Sequence, residues 1–184
     1  MTEIKRCPWA NDPYSIEYHD KEWGKINLDE NHLFELLILE GFQAGLNWAT
    51  ILRKREAFKR AFDHFDPEKV ALYEEEKINE LMQNEEIIRN SLKIKAAITN
   101  AKAFLKTQEE FGSFAKYIWA FTDQQQIVNN WQSWEEVPAK TELSEKISKD
   151  LKKRGFKFVG PVIVYSYLGA IGIINDHLID CPFR

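Results

Sequence analysis

The chain has 184 residues, 44% of them apolar and 29% charged, with a formal net charge of −4. That length supports a substantial core, and the net charge excludes a globally cationic nucleic-acid binder, so any such surface has to be local. No apolar run is long enough to span a membrane. The residues from Met1 to Cys7 lack a signal-peptide core, so a cytoplasmic location is expected. For Cys7 and Cys181 that location favours metal binding or free thiols over a disulfide. Six Trp, twelve Phe and six Tyr are more aromatics than a core alone needs, which leaves some for stacking surfaces.

Residues 1–28 show little helical period and carry Trp9, Tyr14, Tyr18, His19 and Trp23. An irregular arm is predicted there, docked by its aromatics. A first helix is expected over about 29–40. Residues 33–39 are apolar on nearly every side, as in a buried helix. Glu40 closes that run, where a carboxylate is costly unless it is paired or used. Gly41 and Gly45 are expected to stop the helix, and Asn47 to cap a second helix opening at Trp48. Two readings stay open for this turn. Glu40 and Trp48 hold a flat, polar-edged ligand at a glycine-lined lip, or Glu40 meets an Arg or backbone N–H groups in an ordinary capped helix–turn–helix.

The second helix is read over about 48–62, with Trp48, Ile51, Leu52, Phe58 and Phe62 at helical spacing. Asp66 and Pro67 cap and open a short helix, and another covers about 75–83. Ser91 is read as the cap of a long helix reaching Phe111. After Gly112 and Ser113, residues 114–121 continue as helix. Residues 122–140 are the least periodic stretch and read as a connection. Ser144 is read as starting a helix that ends in Leu151-Lys152-Lys153-Arg154-Gly155, with cations in the last turn and Gly just past it. Pro161 opens the last helix. The run after it is β-branched, but Pro at the first position and the lack of a partner strand favour helix. The whole reads as all-α, a single domain over residues 1–184, with two helical lobes around a pocket as the finer arrangement.

A helix, Gly155, four residues, Gly160 and a second helix make the pattern of a helix-hairpin-helix. Its turn and the start of the second helix present backbone N–H groups that suit a phosphate. Lys152, Lys153, Arg154 and Lys157 supply a local basic patch. The plainer reading is a basic helix end followed by an ordinary turn. Many repair enzymes of this pattern carry a Schiff-base lysine just after the second Gly. Here Pro161 and Val162 stand there, so lyase chemistry is not expected. Asp176 lies near the position of an Asp that helps break the glycosidic bond, and is read first as capping or orienting His177.

His177 and Cys181 are four apart, and Cys7 and His19 form a second pair in the N-terminal arm. Together they are a Cys₂His₂ set suited to tetrahedral zinc, and a site closed by four protein ligands is structural. The alternative is two free thiols and two unrelated histidines.

Five blocks in order resemble the 3-methyladenine DNA glycosylase I family. They are Cys7-x-Trp9; Tyr18-His19-Asp20-x-Glu22-Trp23-Gly24; Leu39-Glu40-Gly41-x-Gln43-Ala44-Gly45-Leu46-x-Trp48; Lys153-Arg154-Gly155-Phe156-Lys157-Phe158-Val159-Gly160; and Asn175-Asp176-His177-x₃-Cys181. The resemblance implies an all-α helix-hairpin-helix DNA glycosylase-like fold with a structural zinc site joining the N- and C-terminal segments. Cys7, His19, His177 and Cys181 become the ligands of one zinc ion. Glu40 and Tyr18 become the catalytic pair and Trp48 and Trp9 the base-binding rings. Lys153, Gly155, Lys157 and Gly160 become the groups that hold the DNA backbone. An aromatic usual in the family just before Tyr18 has no match, since Ser15 is in register and Tyr14 is one place off. Asn47 stands where Ser is usual. The implied activity is hydrolytic, monofunctional release of free 3-methyladenine from double-stranded DNA containing alkylated purines, by a monomer with no membrane partner. Other expectations are a glycosylase for another N3-alkylpurine, a non-catalytic zinc-stabilised DNA-binding module, or a small-molecule zinc enzyme.

Overall fold

A computed structural model of the chain describes residues 3–184. It is mostly helical. Among the described residues nine α-helices follow in order: α1 (Pro13–Lys21), α2 (Glu30–Gln43), α3 (Trp48–Ala61), α4 (Pro67–Val70), α5 (Glu75–Met82), α6 (Ser91–Phe111), α7 (Phe114–Trp119), α8 (Glu142–Lys153) and α9 (Pro161–Ala170). Two two-residue strands, β1 (Ile127–Val128) and β2 (Ile174–Asn175), pair in parallel with Ile127 opposite Ile174. That short ladder is the one departure from all-α among the described residues.

The middle of the molecule is α2, which packs against α3, α6, α7 and α9. Its ten residues from Leu33 to Phe42 are all buried, as an all-round apolar helix requires. One apolar core extends from Cys7 near one end of the chain to Cys181 near the other. No helix among the described residues is long and apolar enough to cross a membrane.

Local chemistry corrects several expectations. The N-terminal arm is not wholly irregular. Asp12 caps α1 by accepting from Tyr14 N and Ser15 N, and Pro13 opens the helix. Gly41 does not stop α2, which runs on to Gln43 and ends at a turn where Gly45 has φ +77°. A Cβ on Gly41 would meet Phe158 Cβ at 3.5 Å, so this glycine sits against a neighbouring segment instead of breaking the helix. The cap of α6 is Asn90, which accepts from Lys93 N, and Ser91 is the first helical residue. Thr141, not Ser144, caps α8, and Ser144 returns the bond to the Thr141 amide at 2.8 Å as the other half of a capping box. Asn47 caps α3 as expected, accepting from Ala49 N at 2.7 Å. The aperiodic stretch 122–140 contains β1 and a capped 3₁₀ turn, Trp134–Glu136.

Candidate active site and metal cluster

A cavity of about 440 Å³ opens beside the C-terminal end of α2, within the range usual for small-ligand sites. Trp9, Tyr18, Glu40 and Trp48, expected from the sequence, all line it. Tyr18 comes from α1, Glu40 from the last turns of α2, and Trp48 from the first position of α3. The Tyr18 and Trp48 rings meet edge-on with centroids 5.5 Å apart, and Trp9 stands 6.0 Å from Tyr18.

Glu40 is 3% exposed, and its Oε2 is buried with no hydrogen-bond partner. The other buried carboxyl of α2, Glu35, takes Arg55 at 2.8 Å, and the same guanidinium grips Glu22 through two further bonds of 2.7 and 2.8 Å. The paired reading of Glu40 therefore fails: no Arg and no backbone N–H among the described residues bonds its Oε2, and Arg55 is spent on Glu22 and Glu35. Burial alone pushes the Glu40 carboxyl up to about 8. Burial, and next the Glu40 charge, push the Tyr18 hydroxyl well above its ordinary value. Trp9 Nε1, on the same lining, is also buried without a partner. The slot thus offers apolar rings, an unspent acid and an unspent donor.

Sequence reasoning missed the opposite wall. Val162, Tyr165, Ser166 and Gly169 face the cavity from α9, at the one-face spacing of a helix. Trp134 and residues 137–139 close it from the stretch read as a mere connection. The α9 stripe was visible in the sequence as a period, but nothing marked it as a wall. Trp134 had no period to find. Ser15 is no wall: it is buried, and its hydroxyl donates to Asp12 Oδ2 at 2.5 Å, while Tyr14 is exposed.

Asp176 also lines the cavity, but it does not orient His177. Its Oδ1 accepts from Asn129 Nδ2 and Trp131 Nε1, each at 2.7 Å, and its Oδ2 accepts from the Tyr165 hydroxyl. His177 is instead held by the Trp23 carbonyl, 2.9 Å from Nε2.

Cys7, His19, His177 and Cys181 are all buried, with ligand atoms that lie within 4.8 Å of one another. Cys181 Sγ is 3.6 Å from His19 Nε2 and 3.5 Å from His177 Nδ1. A tetrahedron with metal–sulfur bonds of about 2.3 Å and metal–nitrogen bonds of about 2.0 Å has edges of roughly 3.3–3.8 Å. Each imidazole has its other nitrogen engaged, His19 Nδ1 with Asp20 at 2.7 Å and His177 Nε2 with Trp23 O. That arrangement aims the remaining lone pairs inward. Arg6 in turn holds Asp20 through bonds of 2.8–3.0 Å. The donor set fits a metal ion that ties both ends of the chain together.

The segment 154–160 joins α8 to α9. Lys153 and Lys157 are exposed. Gly155 has φ +95°, and a Cβ on Gly155 or Gly160 would meet nothing within 4 Å, so both glycines face open space. Gly160 caps α9 without a side-chain bond, leaving amides at the helix start free for a ligand. Arg154 is not free. It bonds Glu110 at 2.6 Å and Asp150 at 2.8 Å, and lies over the Phe111 and Tyr117 rings. The basic patch therefore rests on Lys152, Lys153 and Lys157.

An acid-bearing aromatic slot in a helical frame, one wall of which begins just after the basic turn 154–160, is built for a small, flat, polar-edged ligand such as a base. Comparison with known proteins agrees. The methyladenine glycosylase family matches residues 9–184. The chain belongs to that family, whose members hydrolyse N-glycosyl bonds. The DNA-3-methyladenine glycosylase of Haemophilus influenzae is 46% identical over 180 residues, covering 97% of each chain. DNA-3-methyladenine glycosylase 1 of Escherichia coli is 45% identical over 179 residues, covering 97% of this chain and 96% of its own. A Tyr-to-Phe variant of a 3-methyladenine DNA glycosylase I, solved with 3-methyladenine, superposes with a TM-score of 0.94 at 38% identity, covering 97% of this chain and 96% of that one.

Proposed function

We propose that this chain is a DNA repair glycosylase that flips 3-methyladenine out of alkylated double-stranded DNA and excises it by hydrolysis. The observation that carries the reading is the Glu40 carboxyl, buried and unpartnered in an aromatic slot. N3-methylation makes the adenine ring cationic and weakens its glycosidic bond. A lone acid in a water-poor slot favours that cation over neutral adenine, which gives selectivity by charge as well as by shape. Trp48 and Trp9 would stack on the extruded base, worth about 1–3 kcal/mol for the base, with a cation–π gain that plain adenine lacks. Tyr18 would bond the base edge. Extrusion itself costs a few kcal/mol.

In the chemical step, water adds to C1′ of the deoxyribose and the C1′–N9 bond breaks. The electron pair of that bond stays with the base, which leaves neutral, and the water proton passes to solvent. An abasic site remains. Pro161 and Val162 follow Gly160, so the hairpin offers no amine for lyase chemistry. Lys153, Gly155, Lys157 and Gly160 would hold the backbone without reading sequence. One zinc ion on Cys7, His19, His177 and Cys181 would brace the termini. We read the chain as one monomeric domain that works on DNA in the cytoplasm.

The test is the free base released from methylated duplex DNA. Wild type is expected to release 3-methyladenine and Glu40→Gln to release it about 10- to 150-fold more slowly, the range for losing a hydrogen bond to a charged group. Equal rates would overturn the assignment of Glu40. Preferential release of a different N3-alkylpurine would change the substrate. No release from any alkylated duplex would leave a DNA-binding module.

A further inference from the structure

Lys93 is 8% exposed, and its ammonium makes two bonds, both to backbone carbonyls: Phe42 O at 2.8 Å and Ala44 O at 2.6 Å. Those carbonyls end α2, where helix oxygens lack internal partners and a cation is favoured. Burial holds the ammonium below its ordinary value, so the site commits a costly charge to this interaction. Gln43, the last residue of α2, donates its side-chain amide to Leu46 O at 3.0 Å across the turn that leads directly to Trp48. Lys93 therefore clamps the segment between Glu40 and Trp48.

Two helical turns further along α6, on the same face, Asn100 does the same for the hairpin. It is 3% exposed; its Nδ2 donates to Lys157 O at 3.0 Å, and its Oδ1 accepts from Lys157 N at 2.7 Å. Ala96 and Ala97 lie between the two clamps on α6. With Gly41 and Phe158 they border one void of only about 10 Å³, too small to separate the parts. The base slot and the DNA-facing hairpin therefore share one backing plate.

We propose that Lys93 and Asn100 are positioning residues that fix the distance between the base slot and the DNA-backbone grip. The inference rests on the glycosylase reading. A flipped nucleotide stays covalently joined to the strand that the hairpin holds. Its C1′ can sit over the slot only if grip and slot keep one spacing, and an error of about 1 Å is enough to cost roughly 100-fold in rate. Free base has no such tether, so it reports on the slot alone.

The test uses full-length Asn100→Ala and Lys93→Met beside wild type, well below melting. For Asn100→Ala, free 3-methyladenine should bind within twofold of wild type by tryptophan fluorescence. The maximal single-turnover rate of excision from duplex should fall at least tenfold, with the half-saturating enzyme concentration unchanged. For Lys93→Met, excision should fall similarly, and Lys93→Arg should recover part of it by bonding the same two carbonyls. Excision within twofold of wild type in both folded variants would overturn the proposal. So would a loss of free-base binding equal to the loss of excision in Asn100→Ala. Should Asn100→Ala not fold, Asn100→Asp keeps the acceptor for Lys157 N but replaces the donor to Lys157 O by a carboxylate oxygen that repels it, and is read by the same two measurements. A wild type that released no base would defeat the glycosylase reading alone. The brace would then be judged by spin labels at Leu46 and Lys157, whose distance distribution should broaden in the variants and stay narrow if the brace is wrong.

Discussion

At Glu40 the cost of burial and the expected selectivity have one cause. The slot supplies no counterion, so the carboxyl keeps its proton up to about pH 8 when empty. An unfolded chain would lose that proton near 4.5. Between those values the folded state binds more protons than the unfolded one, so stability falls as pH rises from about 4.5 to 8 and is flat below. Glu40→Gln removes this penalty. The variant should melt several degrees above wild type at pH 8 and at the same temperature near pH 4.5, by calorimetry at both values. The same proton links to substrate. If, as proposed, the cationic base binds the ionised acid, excision per duplex encountered should rise with pH up to about 8, by at most tenfold per unit, and the slope should vanish in the Gln variant. A flat profile in wild type would mean that Glu40 does not carry the charge recognition. This residue was legible in the sequence because a carboxylate closing an apolar run has to be explained. Whether it was paired was not legible, since that depended on where Arg55, far along another helix, spent its donors.

Between helices, the segment 154–160 divides its cations by role. Arg154 is spent on Asp150, Glu110 and two rings, while Lys153 and Lys157 extend into solvent. Spacing alone put all of them in one basic patch, because sequence shows charge but not its partners. Reversal of Lys153 and Lys157 to Glu should weaken duplex binding for every sequence tested. It should also flatten the plot of log affinity against log salt by about 0.9 for each phosphate that is no longer neutralised. Free 3-methyladenine should bind as before. An unchanged salt slope would move the DNA grip elsewhere. Arg154→Ala should behave differently, lowering the melting temperature with little effect on that slope. Period and capping chemistry placed most helices, and Asn47 and Pro161 performed as their types dictate. The errors came where neighbours outvoted local signals. Gly41 stays helical inside α2 with Phe158 close against it, and α1 forms within an aromatic arm where Asp12 caps it. Trp134 was hidden because a 3₁₀ turn has too few residues to show a period.

Across the whole molecule, several polar ties join the first and last segments among the described residues, and the Cys₂His₂ cluster is the one that gathers four buried side chains. Lys5–Asp180 is an exposed pair at 2.7 Å, of the kind that adds little. Leu178 N donates to Cys7 Sγ at 3.4 Å, and backbone bonds from Gly24 N to Gly169 O at 2.8 Å and from Asn27 N to Ile171 O at 3.3 Å join the same segments away from the cluster. Without a metal this cluster is unfavourable. Burial pushes the Cys7 thiol up to about 12 and the His177 ring down to about 4, so neither carries charge at neutral pH while four buried polar side chains face one another. A divalent cation reverses that, because it binds thiolate and neutral imidazole. Trp9 and Tyr18 flank two ligands in sequence, and Trp9 packs on His19 with centroids 5.3 Å apart, so the cluster also holds one side of the aromatic slot. Elemental analysis should therefore find one zinc per chain. Removing it, or Cys181→Ser, should cost about 3 kcal/mol, which for a chain of this length lowers melting by roughly 6–12 °C. The apolar core of α2 should keep the rest folded, so helix content by circular dichroism should hold at 20 °C while protease first cuts the N-terminal arm. Free-base affinity should fall with the metal because Trp9 and Tyr18 lose their backing. Melting and base binding that both ignore chelation would show that the four residues hold the ends together as a simple polar cluster.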